Sequence, residues 1–547
     1  MVPMDDGIKI AATVAFPSKD GQNPLPGRFP VVLGMTPYGR NGVCGCFPPD
    51  FFATRGMVGV AADVRGTGGS QGSLRDNYLS PREARDGYNL IEYFGTRPYA
   101  TGKVGMAGGS YVGITQYLAA ELRPPHLAAI TPAVALADVY RDAFAHGGIQ
   151  SFFFDSQYLG VQGVPGTVGT NTDPALLEDT LKAKIDQSET PLGFIAFDYL
   201  KRPNDGPFYW ERSPVYRADR IGVPALVIEG WRDGFIRGGL EMYRALARRP
   251  GVETRLLVNP CTHKGCGPPF DPTENPPGVE DLSAHVFEFL SRHLAGARTP
   301  RRAAVHYYVQ TADGYRDDRN WPPSRTSFER LYLSQGQLAD AAPAQRSAEG
   351  YFTNPAAGLS MAFDKHGTVA ATPYVPTDQR AEEPQGVTFR TAPLAGALTL
   401  AGPIQLHLVA SSTASDTDWY GKLADVAPDG SESIITEGML RASHRELDPD
   451  RSSTASPYHV HTDPQPIEPN KTYAYDISIW PTAYRLEAGH RLQLRITSND
   501  FPTHLDGSVY FDRDNPASAR IEPLPPASNT IHEGGTDPSW LLIPVAR

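Results

Sequence analysis

A short apolar run, Val104, Gly105, Met106 and Ala107, leads straight into Gly108, Gly109, Ser110, Tyr111, Val112 and Gly113, and a helical pattern starts near Ile114. Small residues at 108 and 113 let the backbone turn sharply enough to hold Ser110 in a strained position between strand and helix, the geometry of a nucleophile elbow. Such a turn pushes the serine hydroxyl out of the sheet. The G-x-S-x-G pattern is not strictly met, because Val112 takes the fifth place and the second glycine arrives at Gly113. In a chain with 53 Gly, a glycine-flanked serine taken alone is an ordinary turn residue; the strand before it and the helix after it favour the catalytic reading.

The surroundings fit that reading. Short β-branched runs at Val31 to Met35, Val58 to Ala62, Val104 to Ala107, Ala225 to Glu229 and Arg255 to Val258 alternate with helical patterns at Arg82 to Phe94, Ile114 to Leu122, Leu240 to Ala247 and Leu282 to Leu294. Strand-helix alternation predicts a parallel sheet flanked by helices. It breaks between about Tyr140 and Tyr216, where helical segments such as Ala175 to Ile185 and aromatic clusters replace it, predicting an inserted helical cap. From Arg301 onward the pattern becomes short alternating strands, among them Val305 to Gln310, Ile404 to Ala410, Ile434 to Leu440, Tyr473 to Ile479 and Arg491 to Thr497. Frequent turns between short strands predict a β-sandwich, at this length a jelly roll. Ala339 to Gly350 reads as a surface loop. The expected fold class is α/β: a hydrolase-like domain at 1–140 and 217–300, a helical cap at 141–216, and a jelly-roll β domain at 301–547.

A serine hydroxyl is almost fully protonated at neutral pH, so it needs a base, and the base needs an acid to orient it. On α/β-hydrolase sheets these follow in the chain order serine, acid, histidine. Asp233 stands just past the run Ala225 to Glu229, and His263 just past Arg255 to Val258. Active-site residues of open α/β sheets gather at that C-terminal edge. A lone aspartate is usually a solvated turn residue, and one histidine among fourteen is more often structural. Three positions at strand ends in the right order predict the triad Ser110, Asp233, His263.

Composition narrows the alternatives. With 547 residues two or three domains are expected, and a net charge of −11 disfavours a nucleic-acid partner, which calls for a basic patch. No run approaches the roughly 18 apolar residues that cross a bilayer, and Met1 to Lys9 lacks a charged-then-apolar leader, so the expected location is cytoplasmic. The glycine-rich Arg65 to Gly72 lacks the Gly-Lys-Ser/Thr ending of a phosphate loop, which rejects a nucleotide site. No cofactor or metal is implied.

The chain resembles the cocaine-esterase-like hydrolases, a family related to X-prolyl dipeptidyl-peptidases and α-amino-acid ester hydrolases. The resemblance rests on Met4 to Ile8; Thr36, Pro37 and Tyr38; Asp63, Val64, Arg65 and Gly66 with Ser70 and Gly72; Gly109 to Gly113; Gly230, Trp231, Arg232, Asp233 and Gly234; and Ser415 to Asp418. It implies an α/β-hydrolase domain with an inserted cap and a C-terminal jelly roll. It also implies an oxyanion hole made of the Tyr111 backbone N–H and the Tyr38 hydroxyl. The expected reaction is hydrolysis of a small carboxylic ester or amide through an acyl-enzyme on Ser110. Transfer of the acyl group to an alcohol or amine on the same triad, hydrolysis of an amino-acid ester or X-prolyl peptide, and a binding protein with a disused triad are the alternatives. A homodimer stays open.

Aromatic residues of the cap and of the triad loop, Phe144, Phe152, Trp210, Trp231 and Phe235, are candidates for an apolar acyl pocket, although core packing is their default role. The α-amino-acid ester hydrolases hold a substrate ammonium with a carboxylate cluster, partly from acids after the triad aspartate. Here Gly234, Phe235, Ile236 and Arg237 follow instead, leaving Asp142 as one available carboxylate. Cys44 and Cys46 follow Tyr38, and Cys261 and Cys266 bracket His263. Free thiols are the expectation for a cytoplasmic chain; bridges between the two segments and a four-thiolate zinc site are the alternatives.

Overall fold

The computed structural model describes residues 1–40, 47–74, 77–151, 199–263, 279–300, 302–312, 314–353, 380–500, 507–512 and 515–547. Two compact units form, one around Met1–Asp142 and Pro207–Tyr307, the other around 143–151, Tyr199–Gly206 and Tyr308–Arg547.

Near-continuous apolar runs build the centre of the first unit, as expected where both faces of a sheet are covered. Its strands and principal helices are β1 (Ala12–Ala15), β2 (Phe29–Thr36), β3 (Val58–Asp63), α1 (Pro81–Gly95), β4 (Ala100–Gly109), α2 (Tyr111–Ala120), β5 (Leu127–Ala133), β6 (Ala225–Arg232), α3 (Ile236–Ala247), β7 (Thr254–Thr262), α4 (Leu282–Ala295) and β8 (Val305–Val309). Among these strands the order is β8-β7-β6-β5-β4-β2-β3-β1. All neighbours are parallel except β1, which runs antiparallel to β3. Val31, Val32, Val104, Met106, Leu226 and Ile228 are all fully buried. Ser80 caps α1 by accepting the N–H groups of Arg82 and Glu83, and Pro81 takes the first helical position, where its missing N–H costs nothing.

Three sequence expectations change here. β5 had been invisible because Leu127–Ala133 is alanine-rich and holds Pro132, so its strand signal is weak. Val305, expected in the β-rich half, pairs instead with Leu256 of β7, and His306 and Tyr307 continue that parallel register. α3 starts at Ile236 rather than Leu240, although Gly238 and Gly239 are poor helix formers. Their place has a steric reason: a Cβ at 238 would lie 2.1 Å from an Asp142 carboxylate oxygen, and one at 239 would lie 1.9 Å from Glu229.

The second unit is β-rich. It contains β9 (Thr326–Ser334), β10 (Gln337–Ala339), β11 (Ser347–Thr353), β12 (Val387–Arg390), β13 (Leu398–Ser412), β14 (Asp418–Val426), β15 (Glu432–Arg441), β16 (Tyr473–Leu486), β17 (Arg491–Thr497), β18 (Ala527–Glu533) and β19 (Trp540–Ala546). These form one sheet in the order β11-β18-β13-β16-β15-β14-β17-β12-β10-β9-β19, and a further pairing of β13 with β19 curls it into a barrel-like closure. Leu406, Leu408, Trp419, Ile477, Leu494, Ile496 and Leu541 fill its core. The stretch Ala339 to Gly350, read from sequence as a loop, instead contains the end of β10 and the start of β11. Of the cap expected at 141–216, residues 152–198 lie outside the described residues. The remainder comprises a π-helical turn at Tyr140–Phe144, paired strands Ala145–His146 and Ile149–Gln150, a helix at Pro207–Trp210 and a 3-10 helix at Pro214–Arg220. Among the described residues no helix is long and apolar enough to cross a membrane.

Candidate active site

Ser110 joins β4 to α2 with φ 57° and ψ −128°, a backbone conformation that a non-glycine residue adopts only under strain. Its N–H donates to the Ala133 carbonyl at the end of β5, which holds the turn against the neighbouring strand. Gly113 has to be small: a Cβ there would stand 2.8 Å from the same carbonyl oxygen. The second glycine of the elbow, one place later than the usual pattern, therefore serves the close approach of α2 to β5.

Asp233 follows β6 and His263 follows β7, and the register that sets Arg232 opposite Thr262 brings both strand ends level. His263 Nδ1 lies 2.6 Å from Asp233 Oδ2, and His263 Nε2 lies 2.8 Å from Ser110 Oγ. The three predicted triad side chains thus form one hydrogen-bonded line. Asp233 is 1 % exposed, and its other oxygen accepts the Phe235 N–H at 2.6 Å ahead of α3, whose positive end favours a carboxylate. Phe235 stands edge-on to the His263 ring, centroids 5.2 Å apart.

Tyr38 lies two residues beyond β2, buried, with its N–H donating to Thr36 Oγ1 at 3.1 Å. Its ring meets the Tyr111 ring edge-on at 6.4 Å between centroids. The loop is clamped two residues later by Arg40, whose N–H and guanidinium both reach the fully buried Asp63 at 2.5 Å. Asp63 Oδ2 also accepts the Gly69 N–H at 2.8 Å, and a Cβ at Gly68 would collide with that carboxylate at 2.2 Å. The Asp63 to Gly72 motif, quoted from sequence without a role, therefore ties the Tyr38 loop to the sheet. Tyr111 is the first residue of α2, so its N–H lies at the positive end of that helix.

Sequence reading missed Glu83. Its Oε2 accepts the Tyr111 hydroxyl at 2.6 Å and the Leu79 N–H at 3.0 Å, which anchors the residue next to Ser110. The signal was present as a serine followed three places later by a glutamate, Ser80 and Glu83, at the start of a helix. Burial pushes the Glu83 carboxyl up to about 8 from an ordinary value of 4.5. The unfolded chain then loses this proton near the ordinary value while the native state keeps it, so stability falls as pH rises between the two. Glu83→Gln, which preserves an acceptor for Tyr111, is expected to flatten that part of the Tm-versus-pH curve and to gain most on the wild type at its alkaline end. Parallel curves for the two proteins across this window would show that Glu83 is ionised in the native state.

Glu229, on β6, is likewise fully buried, and its carboxyl is pushed well up by burial and then by the charge of Asp233.

The pocket candidates divide. Phe235 meets the triad histidine, and Trp231 is buried within β6. Phe144 is fully buried against Tyr199 in the β-rich unit, a packing role, and Trp210 is 38 % exposed with its ring near Tyr216. Phe152 lies outside the described residues. Asp142 is committed elsewhere: one oxygen accepts the N–H groups of Ala137 and Asp138 at 2.9 and 2.7 Å, and the other pairs with the Arg237 guanidinium. Burial first, opposed by that arginine, pushes its carboxyl up to about 6. The expectation of free thiols is corrected at Cys261, which is disulfide-bonded at the end of β7. That expectation followed compartment alone, which carries no information on which chain segments meet. Cys44, Cys46 and Cys266 lie outside the described residues. No group of three or more histidine, cysteine or acidic residues among the described residues is arranged to hold a metal ion.

Residues 6–265 match the X-Pro dipeptidyl-peptidase (S15 family), and residues 298–542 match the X-Pro dipeptidyl-peptidase C-terminal non-catalytic domain. The chain is 26 % identical over 608 residues to a cocaine esterase from Rhodococcus sp. (strain MB1 Bresler), covering 100 % of this chain and 98 % of that one. An aminopeptidase from the marine sediment archaeon Thaumarchaeota archaeon superposes with a TM-score of 0.81 at 22 % identity, covering 100 % and 96 % of the two chains. An α-amino acid ester hydrolase gives 0.79 at 22 % identity, with 100 % and 95 % covered. These two structural likenesses establish the fold, an α/β-hydrolase with a C-terminal β-rich domain.

Proposed function

From the premise that the chain belongs to the cocaine-esterase-like family of serine hydrolases, we propose that it cleaves a small carboxylic ester through an acyl-enzyme on Ser110. The observation that carries this reading is the line Asp233, His263, Ser110 with contacts of 2.6 and 2.8 Å at the ends of three strands. His263 Nε2 takes the hydroxyl proton as Ser110 Oγ attacks the carbonyl carbon, and Asp233 holds the proton on Nδ1 and stabilises the imidazolium. Charge that develops on the carbonyl oxygen is met by the Tyr111 N–H and the Tyr38 hydroxyl. His263 then protonates the leaving alcohol, and water, activated by the same imidazole, releases the acid.

Tyr38→Phe removes one hydroxyl from a loop that Arg40 and Asp63 hold independently. Turnover is expected to fall by roughly 10²- to 10³-fold with KM moving less, the usual cost of one oxyanion donor. Full kcat in this variant would assign the second donor to another group.

The arrangement after the triad acid favours an acyl group without an ammonium. Arg237 pairs with Asp142, so the carboxylate that the sequence left available for such a role is already neutralised. Activity on p-nitrophenyl acetate and on aryl esters, set beside α-amino-acid esters of matched size and an X-Pro anilide, tests this. A clear preference for the α-amino esters would overturn the proposed acyl group while leaving the triad in place. For the fold, the sheet closure of β13 on β19 supports a jelly-roll reading of 301–547, and the helical turns on either side of 152–198 support an inserted cap between the two stretches of hydrolase domain.

A further inference from the structure

The β-rich unit buries a charged row on the face of β14, β15 and β17 turned away from its apolar core. Trp419 and Leu423 of β14 and Leu494 and Ile496 of β17 belong to that core, so by strand alternation Lys422 and Arg495 project from the other side. Arg495 donates to both oxygens of Glu432, at 3.1 and 2.8 Å. Lys422 Nζ lies 2.8 Å from Asp500 Oδ1, and neither side chain has any exposed surface. Directly across from Lys422 on β15 stands Glu437, itself buried, in a register where side chains of opposed residues lie alongside each other.

A lysine and an aspartate with no access to water, in contact, beside a second buried carboxyl, is a reactive arrangement as well as an electrostatic one. We propose that Lys422 and Asp500 form an intramolecular isopeptide bond, Nζ to Cγ, with Glu437 as the proton carrier. Holding an ammonium and a carboxylate out of water is costly even when they are paired, and condensation removes both charges at once. In the first step a proton crosses the existing contact from the ammonium to the carboxylate, leaving an amine and a carboxylic acid. The amine lone pair attacks Cγ, forming the C–N bond and a tetrahedral centre. Glu437 accepts the surplus proton from nitrogen and returns it to a hydroxyl on Cγ. The C–O bond breaks and one water departs. The sum is Lys–NH₃⁺ plus ⁻OOC–Asp giving Lys–NH–CO–Asp plus water, which needs no oxidant, reductant or external acid. Exclusion of solvent favours the amide, since water is the product that must leave and the reactant that would reverse the step. The bond joins β14 covalently to the segment after β17, across 78 residues of chain.

Intact mass of the full chain, measured after disulfide reduction, tests the proposal. The wild type is expected about 18 Da, one water, below its sequence mass, with the attacking amine of Lys422 found in a branched tryptic peptide bearing Asp500. Lys422→Arg and Asp500→Ala are expected at their full sequence masses, and Asp500→Asn to lose ammonia in place of water. Glu437→Gln leaves both reacting groups present and is expected to remain unlinked. A reduced wild type at full mass, with the two segments in separate linear peptides, overturns the proposal and leaves an ordinary ion pair. Because that reading needs only the wild type, it stands even where a variant fails to fold.

Discussion

Ser110→Ala is expected to lower kcat by about 10⁴- to 10⁶-fold, the range over which loss of a triad nucleophile leaves only binding and oxyanion stabilisation. The fold should survive, because alanine meets the same backbone strain at φ 57° as serine does, and the contact that fixes the turn is the N–H to Ala133, which alanine keeps. KM should change little, since the missing oxygen acts only as the bond forms. A fluorophosphonate probe should label the wild type at Ser110 and leave the variant unlabelled, with the adduct mapped by mass spectrometry. Labelling of a different serine, or turnover within tenfold of the wild type, would assign the chemistry to another residue.

Asp233→Asn is expected to cost about 10⁴-fold in kcat, and the structure says why an uncharged, nearly isosteric residue is so poor a substitute. The Phe235 N–H, 2.6 Å from Asp233 Oδ1, requires an acceptor, so an asparagine would place its carbonyl there. Its NH₂ would then face His263 Nδ1, at the place where Oδ2 now lies 2.6 Å away. Donation to Nδ1 puts the ring proton on Nε2, which then points a hydrogen at Ser110 Oγ and cannot receive one. The loss should ease as pH rises enough to favour direct ionisation of the serine, while the melting temperature stays close to that of the wild type. If Asp233→Asn keeps near-normal turnover at neutral pH, the acid that orients His263 is not Asp233.

Strand ends and chain order made the candidate triad legible without coordinates. Ser110, Asp233 and His263 each follow a β-branched run by a few residues, and the parallel sheet brings such ends to one edge. Glu83 and Glu229 were not legible in the same way, because a carboxyl three residues into a helix or on a strand looks like a solvated residue until burial is known. The aromatic candidates divided for a related reason: composition cannot tell Phe144, packed on Tyr199, from Phe235, against His263. β5 stayed hidden because alanine and proline give a weak strand signal, and only its pairing with β4 and β6 makes it a strand.

Local chemistry along the chain determined the elbow, the parallel core and the order of the candidate catalytic residues, since turn sterics and hydrophobic periodicity act over a few residues and can be read one segment at a time. Tertiary structure decided which charges are satisfied. Arg237 closing on Asp142, Arg40 on Asp63 and Lys422 on Asp500 join residues 95, 23 and 78 positions apart. Whether a charged side chain ends in water or in a buried pair depends on which distant strand lies beside it. That is set by sheet order and register, neither of which any single segment encodes.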